Sequence, residues 1–471
     1  MRSVITKDIF QFPNFKKQLL QWANQHREVV FLDSNQYHQK YSSYDAVLAV
    51  DAFTSIKTDY ENAFQDLYQY QSQTKDWLFG YLSYDLKNDT EALHSNNFDG
   101  LAFPDLFFFQ PKKLFFIKGN QLEMQFLRMC DDEMEADFEE ILSIASIIHH
   151  PSSITINQRI SKENYLSKVS KMLEHIHRGD IYEANFCMEF FAEKAQIEPL
   201  EIYQKLNAIS ESPFAVYFKN NFQYLLSASP ERYLRKEGLK VISQPIKGTA
   251  RRSYDVEQDE QLKSDLAQNE KERSENIMIV DLVRNDVSHT AIKGSVQVEE
   301  LCQLYTFKQV HQMISTIISE VAITTTPVEI LRTTFPMGSM TGAPKISAMQ
   351  IIETLEETKR GLYSGAVGYF TPNGDFDFNV VIRSILYNET NKYVSYSVGG
   401  AITAKSEPLK EYEELLEPYG FMRPHHSHLI NINKILRFDK VNGGSLIMET
   451  LEEIPVSHRK KAQILQFLDN L

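Results

Sequence analysis

With 471 residues, 42% hydrophobic and 24% charged, the chain has room for two to three domains and the composition of a globular protein, which excludes a fibre or a disordered polymer. Its 49 Lys and Arg against 63 Asp and Glu leave a net charge of -14, which argues against nucleic acid as a partner of the chain as a whole. Three widely spaced cysteines (Cys130, Cys187, Cys302) provide neither a disulfide framework nor metal-ligand spacing, and no run reaches the roughly 18 apolar residues of a membrane helix, so a cytoplasmic protein without membrane attachment is expected.

Residues 1–150 alternate apolar runs ("REVVFLDS", "YDAVLAVDAF", "DWLFGYLSYDL", "KLFFIKGNQLEMQFL") with polar turns, and their Val, Phe, Tyr and Leu content predicts strands of a mostly antiparallel sheet. "DEMEADFEEILSIASII" has helical spacing and closes this first segment. After a polar connector, a Ser–x–x–Asn start at Ser161 opens a helix that Gly179 should stop, followed by a strand from Ile181. From 155 to 417 strands and helices mix, with one long helix expected over 258–279 and another through "FKQVHQMISTII". Closely consecutive strands with helices between blocks indicate an α+β fold rather than a βαβ array.

Five clusters carry candidate chemistry. "SASPERYL" places Glu231 at a strand-to-turn position, and "VISQPIKGTARR" sets Lys247 at an apolar strand end before Gly-Thr and two arginines. "KERSENIMIVDLVRND" has Glu275 on a helix and ends in a knot of Asp281, Arg284, Asn285 and Asp286. "FPMGSMTGAPKISAMQIIE" is a loop opening a helix at Pro344; it offers backbone N–H groups to an anion but lacks Walker spacing, which argues against ATP. "YSVGGAITAKSEPLKEYEELL" pairs Gly399-Gly400 with Glu411 and Glu414, whose i,i+3 spacing puts two carboxylates on one helix face. Each has an ordinary structural reading: a solvated carboxylate for Glu275, a solvent-facing pair for Glu411 and Glu414, a β-bulge for the glycines, and a core histidine for His311.

Taken in order, "SASPERY", "PIKGT", "SENIMIVDLVRND", "VHQMIST", "GSMTGAPKISAMQIIE", "RGLYSGAVGY", "FNVVIRS", "VGGAI" and "EYEE" resemble the chorismate-binding enzyme family, which includes the component I chains of anthranilate synthase and aminodeoxychorismate synthase together with isochorismate and salicylate synthases. The resemblance is dense over 160–415 and implies antiparallel sheets forming a β-sandwich with surrounding helices. Aminating members that act at C4 carry lysine in the PIKGT motif where anthranilate synthases carry a small residue, so the resemblance points to aminodeoxychorismate synthase component I. It implies that Lys247 adds to C2 of chorismate, with Glu231 as proton donor and His311 near the ring. Thr341, Tyr363, Arg383, Gly399 and Gly400 would contact substrate, and Mg²⁺ would sit on Glu275, Glu411 and Glu414. A neutral amine is required of Lys247, and Arg251 and Arg252 are the nearby cations that would favour it. Glu183 stands where many aminating members have Gln and where isochorismate and salicylate synthases have Lys. No glutaminase is legible, so ammonia is expected from a separate glutamine amidotransferase subunit. Anthranilate synthase component I is the alternative within enzymes.

Residues 420–471 fall outside that pattern. They resemble the second half of a LytTR-type DNA-binding domain, with "HHSHLININKI", an Asn-Gly-Gly hairpin turn, "IPVSHRKK" and a closing helix. The tail has 7 Lys and Arg against 5 Asp and Glu, and Arg459, Lys460 and Lys461 would approach phosphates in that reading. The first half of such a domain is missing, so a fused remnant is favoured over a DNA-binding regulator.

Overall fold

The computed structural model describes residues 1–37, 39–144, 154–253, 255–416, 421–425, 428–431, 435–439, 444–448, 452–457, 461 and 464. The chain divides into two compact units, Met1–Arg159 with Met188–Ser397, and Ile160–Cys187 with Val398–Leu471. This division cuts across the three sequence segments 1–150, 155–417 and 420–471.

Strand pairing explains why residues 1–150 are not a unit of their own. The strand Glu28–Asp33 is hydrogen-bonded on one side to Ala46–Thr58 and on the other to Phe214–Asn220. Likewise Leu78–Leu82 lies between Leu106–Lys118 and Ala366–Phe370. The 13-residue strand Leu106–Lys118 pairs with Ala46–Thr58, Leu78–Leu82 and Gln121–Leu127, and so joins two antiparallel wings. One wing continues through Phe214–Asn220, Gln223–Ser229 and Ser384–Asn388. The other continues through Phe376–Val380, Arg232–Glu237, Lys240–Gln244 and Val310–Glu320. Mixed helix and antiparallel sheet content agrees with the α+β expectation. A shared core, including Phe15, Trp22, Val29, Phe115, Tyr203, Tyr217, Leu226 and Tyr387, draws on both halves of the first unit.

Two helices in the first segment, Phe15–Ala23 and Ala63–Thr74, were not anticipated. Phe15, Leu19, Leu20, Trp22 and Ala23 form the buried stripe of the former.

Two further expectations are corrected. The single helix over 258–279 is two helices, Val256–Gln268 and Glu270–Ser288. Asn269 is extended between them and its side chain accepts from the Glu272 N–H, so a capping residue begins a new helix rather than continuing the old one. "FKQVHQMISTII" is not a helix but part of the strand Val310–Glu320. Its residues from His311 to Ile317 are buried without interruption, and a strand covered on both faces loses the alternation that would have identified it.

In the second unit the helix Lys162–Arg178 begins as expected, with Ser161 accepting from the Asn164 N–H, and ends on Gly179 at φ 90°. It packs on the helix Pro408–Leu416: the Tyr165 ring lies 5.3 Å from Tyr412 and 5.4 Å from Phe186, and Lys162 Nζ sits 5.8 Å from the Tyr412 ring. The strands flanking Asn-Gly-Gly pair with each other, Ile435–Asp439 with Ser445–Met448, and Glu453–Pro455 extends the sheet, while Asn442 and Gly443 themselves lie outside the described residues. Ile430, Leu446, Met448, Ile454 and Ile464 form a small core of their own. Arg459 and Lys460 lie outside the described residues. No described helix is long and apolar enough to cross a membrane.

Candidate active site

Glu231 sits between the strands Gln223–Ser229 and Arg232–Glu237, with its backbone held by Ser229 Oγ at 3.3 Å and its carbonyl accepting from the Val380 N–H. Its side chain is buried, and Ser339 Oγ donates to Oε1 at 2.7 Å. Burial pushes its pKa up to about 7; the Ser339 hydroxyl, the Lys247 ammonium, the Ile246 N–H and the Arg383 guanidinium act in the opposite direction. A carboxyl poised near neutrality can hold a proton at the pH of the cell and release it to a leaving group.

Lys247 belongs to the strand Ile246–Arg251, half-buried, at a break in register with Val310–Glu320 between Ile246 and Thr249. Gly248 follows at φ 94°, and a Cβ there would meet Met313 at 3.2 Å and Glu272 at 3.3 Å, so the bulge that turns Lys247 out of the ladder needs glycine. The arginines do not act as anticipated. Arg252 is committed to Asp259, with Nε 2.9 Å from both carboxylate oxygens, and to the carbonyl of Phe307; Arg251 is exposed.

Among the remaining first-unit candidates, Arg383 is exposed with φ 51°, and its carbonyl accepts from the Ala228 N–H. Tyr363 is buried, and its N–H bonds to the carbonyl of Arg360. Thr341 is buried with Oγ1 3.2 Å from the Gly338 carbonyl, in the turn that also presents Ser339. His311 is fully buried with Nε2 3.0 Å from Asp259 Oδ1 and Nδ1 3.0 Å from Thr306 Oγ1. The Arg252 hydrogen bond and the Ser253 N–H hold the Asp259 carboxyl below the usual range. Glu275 lies on the helix Glu270–Ser288 with Lys271 Nζ 3.8 Å from Oε1.

In the second unit the double glycine separates into two roles. A Cβ at Gly399 would fall 2.7 Å from the Phe186 carbonyl and 2.4 Å from Cys187 Sγ, so close strand approach alone requires glycine there. A Cβ at Gly400 would meet only Glu411 Oε2, at 3.8 Å, so that glycine leaves open space beside a candidate metal ligand. Glu411 is half-buried, while Glu414 is exposed with Lys410 Nζ 3.5 Å away. The space beside Glu411 Oε2 suits a carboxylate ligand of a hard divalent cation, whereas Glu414 faces Lys410. Among the described residues, no three His, Cys, Asp or Glu side chains are gathered as a metal-binding group. Glu183 is buried at the start of the strand Glu183–Ala192.

Ser339, Lys345, Glu356 and Arg360 do not stand out in the sequence. Ser339 is the direct partner of Glu231. Within the knot at 281–286, Arg284 and Asp281 pair with each other near solvent, whereas Asp286 turns inward to Lys345 Nζ at 2.6 Å. Arg360 is buried, forms an ion pair with Glu356 and donates to the Met340 carbonyl at 2.6 Å, which fixes the turn before Thr341. The adjacency of "GSMTG" and "KRGLY" to candidate residues was visible in sequence, but their partners were not.

A family profile described as chorismate binding enzyme matches residues 21–423. An anthranilate synthase component I-like protein of Synechocystis is 34% identical over 347 residues, covering 72% of this chain and 70% of its own. The aminodeoxychorismate synthase component 1 of Bacillus subtilis is 30% identical, with 77% and 78% covered. The chloroplastic aminodeoxychorismate synthase of Arabidopsis thaliana is 40% identical over 259 residues, where the alignment spans 54% of this chain but only 28% of that longer protein. The crystal structure of anthranilate synthase component I from Streptococcus pneumoniae has the same fold, with a TM-score of 0.70 at 24% identity over 81% of this chain and 93% of that one. The profile match stops at residue 423, close to where the sequence pattern changes.

Proposed function

Because the chain belongs to the chorismate-binding enzyme family, we propose that it aminates chorismate at C4 to give 4-amino-4-deoxychorismate, the precursor of p-aminobenzoate in folate biosynthesis. The observation that carries this reading is the pairing of Lys247 in "PIKGT" with Glu231, a buried carboxyl near pKa 7 on which the Lys247 charge acts. In the proposed reaction the neutral Lys247 amine forms a bond to C2, the ring double bonds shift, and the C4–O bond breaks. The departing hydroxide takes its proton from Glu231 and leaves as water. Ammonia then adds at C4, the double bonds shift back, and the C2–N bond breaks to regenerate the lysine.

Arg383 and Tyr363 would take a substrate carboxylate, with Thr341 and His311 as the further candidates of the first unit; Gly399 and Gly400 are the candidate substrate contacts of the second. Candidate Mg²⁺ ligands are Glu275 and, on the helix Pro408–Leu416, Glu411 and Glu414; the ion would neutralise a carboxylate of the substrate. Ammonia would come from a separate glutamine amidotransferase subunit. Glu183 in place of the lysine of water-adding relatives supports amination over hydroxylation. Anthranilate synthesis is the second reading, favoured by the name of the Synechocystis relative. Incubation with chorismate, Mg²⁺ and ammonium, with chromatographic identification of the product, tests the proposal: aminodeoxychorismate is expected, and anthranilate would overturn it.

A further inference from the structure

The strand Val310–Glu320 is flanked by irregularities on both sides. On one side lies the break at Lys247 and Gly248; on the other, the register with Gln297–Thr306 shifts between Glu300 and Gln303, where Cys302 takes φ 54°. A bulge leaves backbone groups outside the ladder, and a buried N–H or carbonyl left so is costly. Here one side-chain network takes them up. Asn276, 1% exposed, donates through Nδ2 to the carbonyl of Lys247 and to that of Met313, both at 3.2 Å. Its Oδ1 accepts from Ser315 Oγ, and that hydroxyl accepts in turn from the Cys302 N–H at 2.9 Å. Each amide hydrogen therefore has one carbonyl and the amide oxygen has a hydroxyl donor, which fixes the side chain in a single orientation.

We propose that Asn276 is a positioning residue for amination, holding the bulge that presents Lys247 to C2 of chorismate. The argument rests on the reading of Lys247 as nucleophile. The group Asn276 grips is the lysine's own carbonyl, so it sets the backbone from which the side chain leaves the strand. It does so from the helix Glu270–Ser288, one residue after Glu275, so the lysine strand and that helix are joined at one amide. Aspartate keeps the shape of the side chain but has no hydrogen to donate when ionised, and would face two carbonyls with negative charge. Ser315→Ala removes the hydroxyl that orients the amide and that accepts from the Cys302 N–H, while both Asn276 donors and the Cys302 thiol 3.6 Å from the amide oxygen stay in place.

The full chain carrying Asn276→Asp or Ser315→Ala is assayed with chorismate, Mg²⁺ and ammonium. In parallel, with ammonium withheld, the Lys247 peptide is followed by rapid quench and mass spectrometry for an adduct of the mass of chorismate less water. Asn276→Asp is expected to lower kcat by about tenfold to a hundredfold, with KM for chorismate unchanged within about twofold, and to slow adduct formation by the same factor. Ser315→Ala should move kcat and adduct formation in the same direction by less, with its melting curve showing it folded at the assay temperature. If both variants keep the parent kcat and adduct rate while Lys247→Ala is inactive, Asn276 does not position the lysine. A loss confined to KM overturns the proposal equally. Full turnover by Lys247→Ala would instead remove the nucleophile reading, and the positioning role with it.

Discussion

The stretch around Lys247 and the hairpin after Ile435 are both short antiparallel pairings, yet they are held by opposite means. Around Lys247 the ladder is broken by bulges, and buried polar side chains take up backbone groups it leaves open: Asn276 holds the carbonyls of Lys247 and Met313, and Ser315 holds the Cys302 N–H. In the tail the sheet Ile435–Asp439, Ser445–Met448 and Glu453–Pro455 is closed by five apolar side chains, among them Leu446 and Ile454. Irregular backbone is needed where a side chain must be aimed, and it is stable only where each displaced backbone group finds a partner. Where nothing is aimed, burial of a few apolar groups suffices.

The sharpest way to break this contrast is at the aimed residue itself. Lys247→Ala should reduce amination by about a thousandfold or more at unchanged folded fraction, measured as product formed at saturating chorismate and ammonium. Unchanged turnover would mean that the bulge presents a lysine for no chemical purpose.

Glu231→Gln should lower kcat by roughly a hundredfold or more, because the amide cannot give a proton to the departing hydroxide. The same substitution has a stability signature of opposite sign. The folded-state pKa of about 7 lies above the ordinary value of a glutamate, so the folded protein binds this proton more tightly than the unfolded chain. The contribution is fully present below about pH 4 and is lost as pH rises through about 7, by roughly 3 kcal/mol. Denaturant unfolding at pH 5 and pH 8 should therefore show Glu231→Gln gaining on the parent at the higher pH. A parent and variant with parallel pH dependence would mean that Glu231 ionises normally.

Removing one partner of the buried Arg360–Glu356 pair should be mainly a matter of stability. Glu356→Gln is expected to destabilise by about 3 kcal/mol, since it leaves the guanidinium buried without its countercharge. Part of that loss should reach catalysis through the Met340 carbonyl and the turn before Thr341. The smallest effect on turnover is expected in the tail. Leu446→Ala should lose about 2 to 3 kcal/mol of local stability in its small core, read by hydrogen exchange at Leu446 and Ile454, with kcat within about twofold of the parent. A large fall in kcat would show that the hairpin supports catalysis and is more than an appendage.

Much of this is legible in the sequence. Lys247, Glu231 and Glu275 stand in ordered motifs, the Ser161 and Gly179 ends of the first catalytic-region helix follow from capping chemistry, and Asn-Gly-Gly announces its hairpin. The errors share one cause. His311 reads as helical because seven consecutive buried residues on a doubly covered strand carry no alternation. The first 150 residues read as a separate domain because pairing between Glu28–Asp33 and Phe214–Asn220, nearly two hundred residues apart, leaves no local trace.

The sequence alone thus determined the family, the candidate nucleophile and proton donor, and most local element ends, because those depend on residue identity and on neighbours a few positions away. Only the tertiary structure decided that Glu231 is pushed toward neutrality, that Arg252 serves Asp259 rather than Lys247, that Gly399 is a packing glycine while Gly400 is an open one, and that Asn276 grips the lysine's carbonyl. Burial, close approach and hydrogen-bond partnership are properties of residues brought together across tens to hundreds of positions, and no window along the chain contains them.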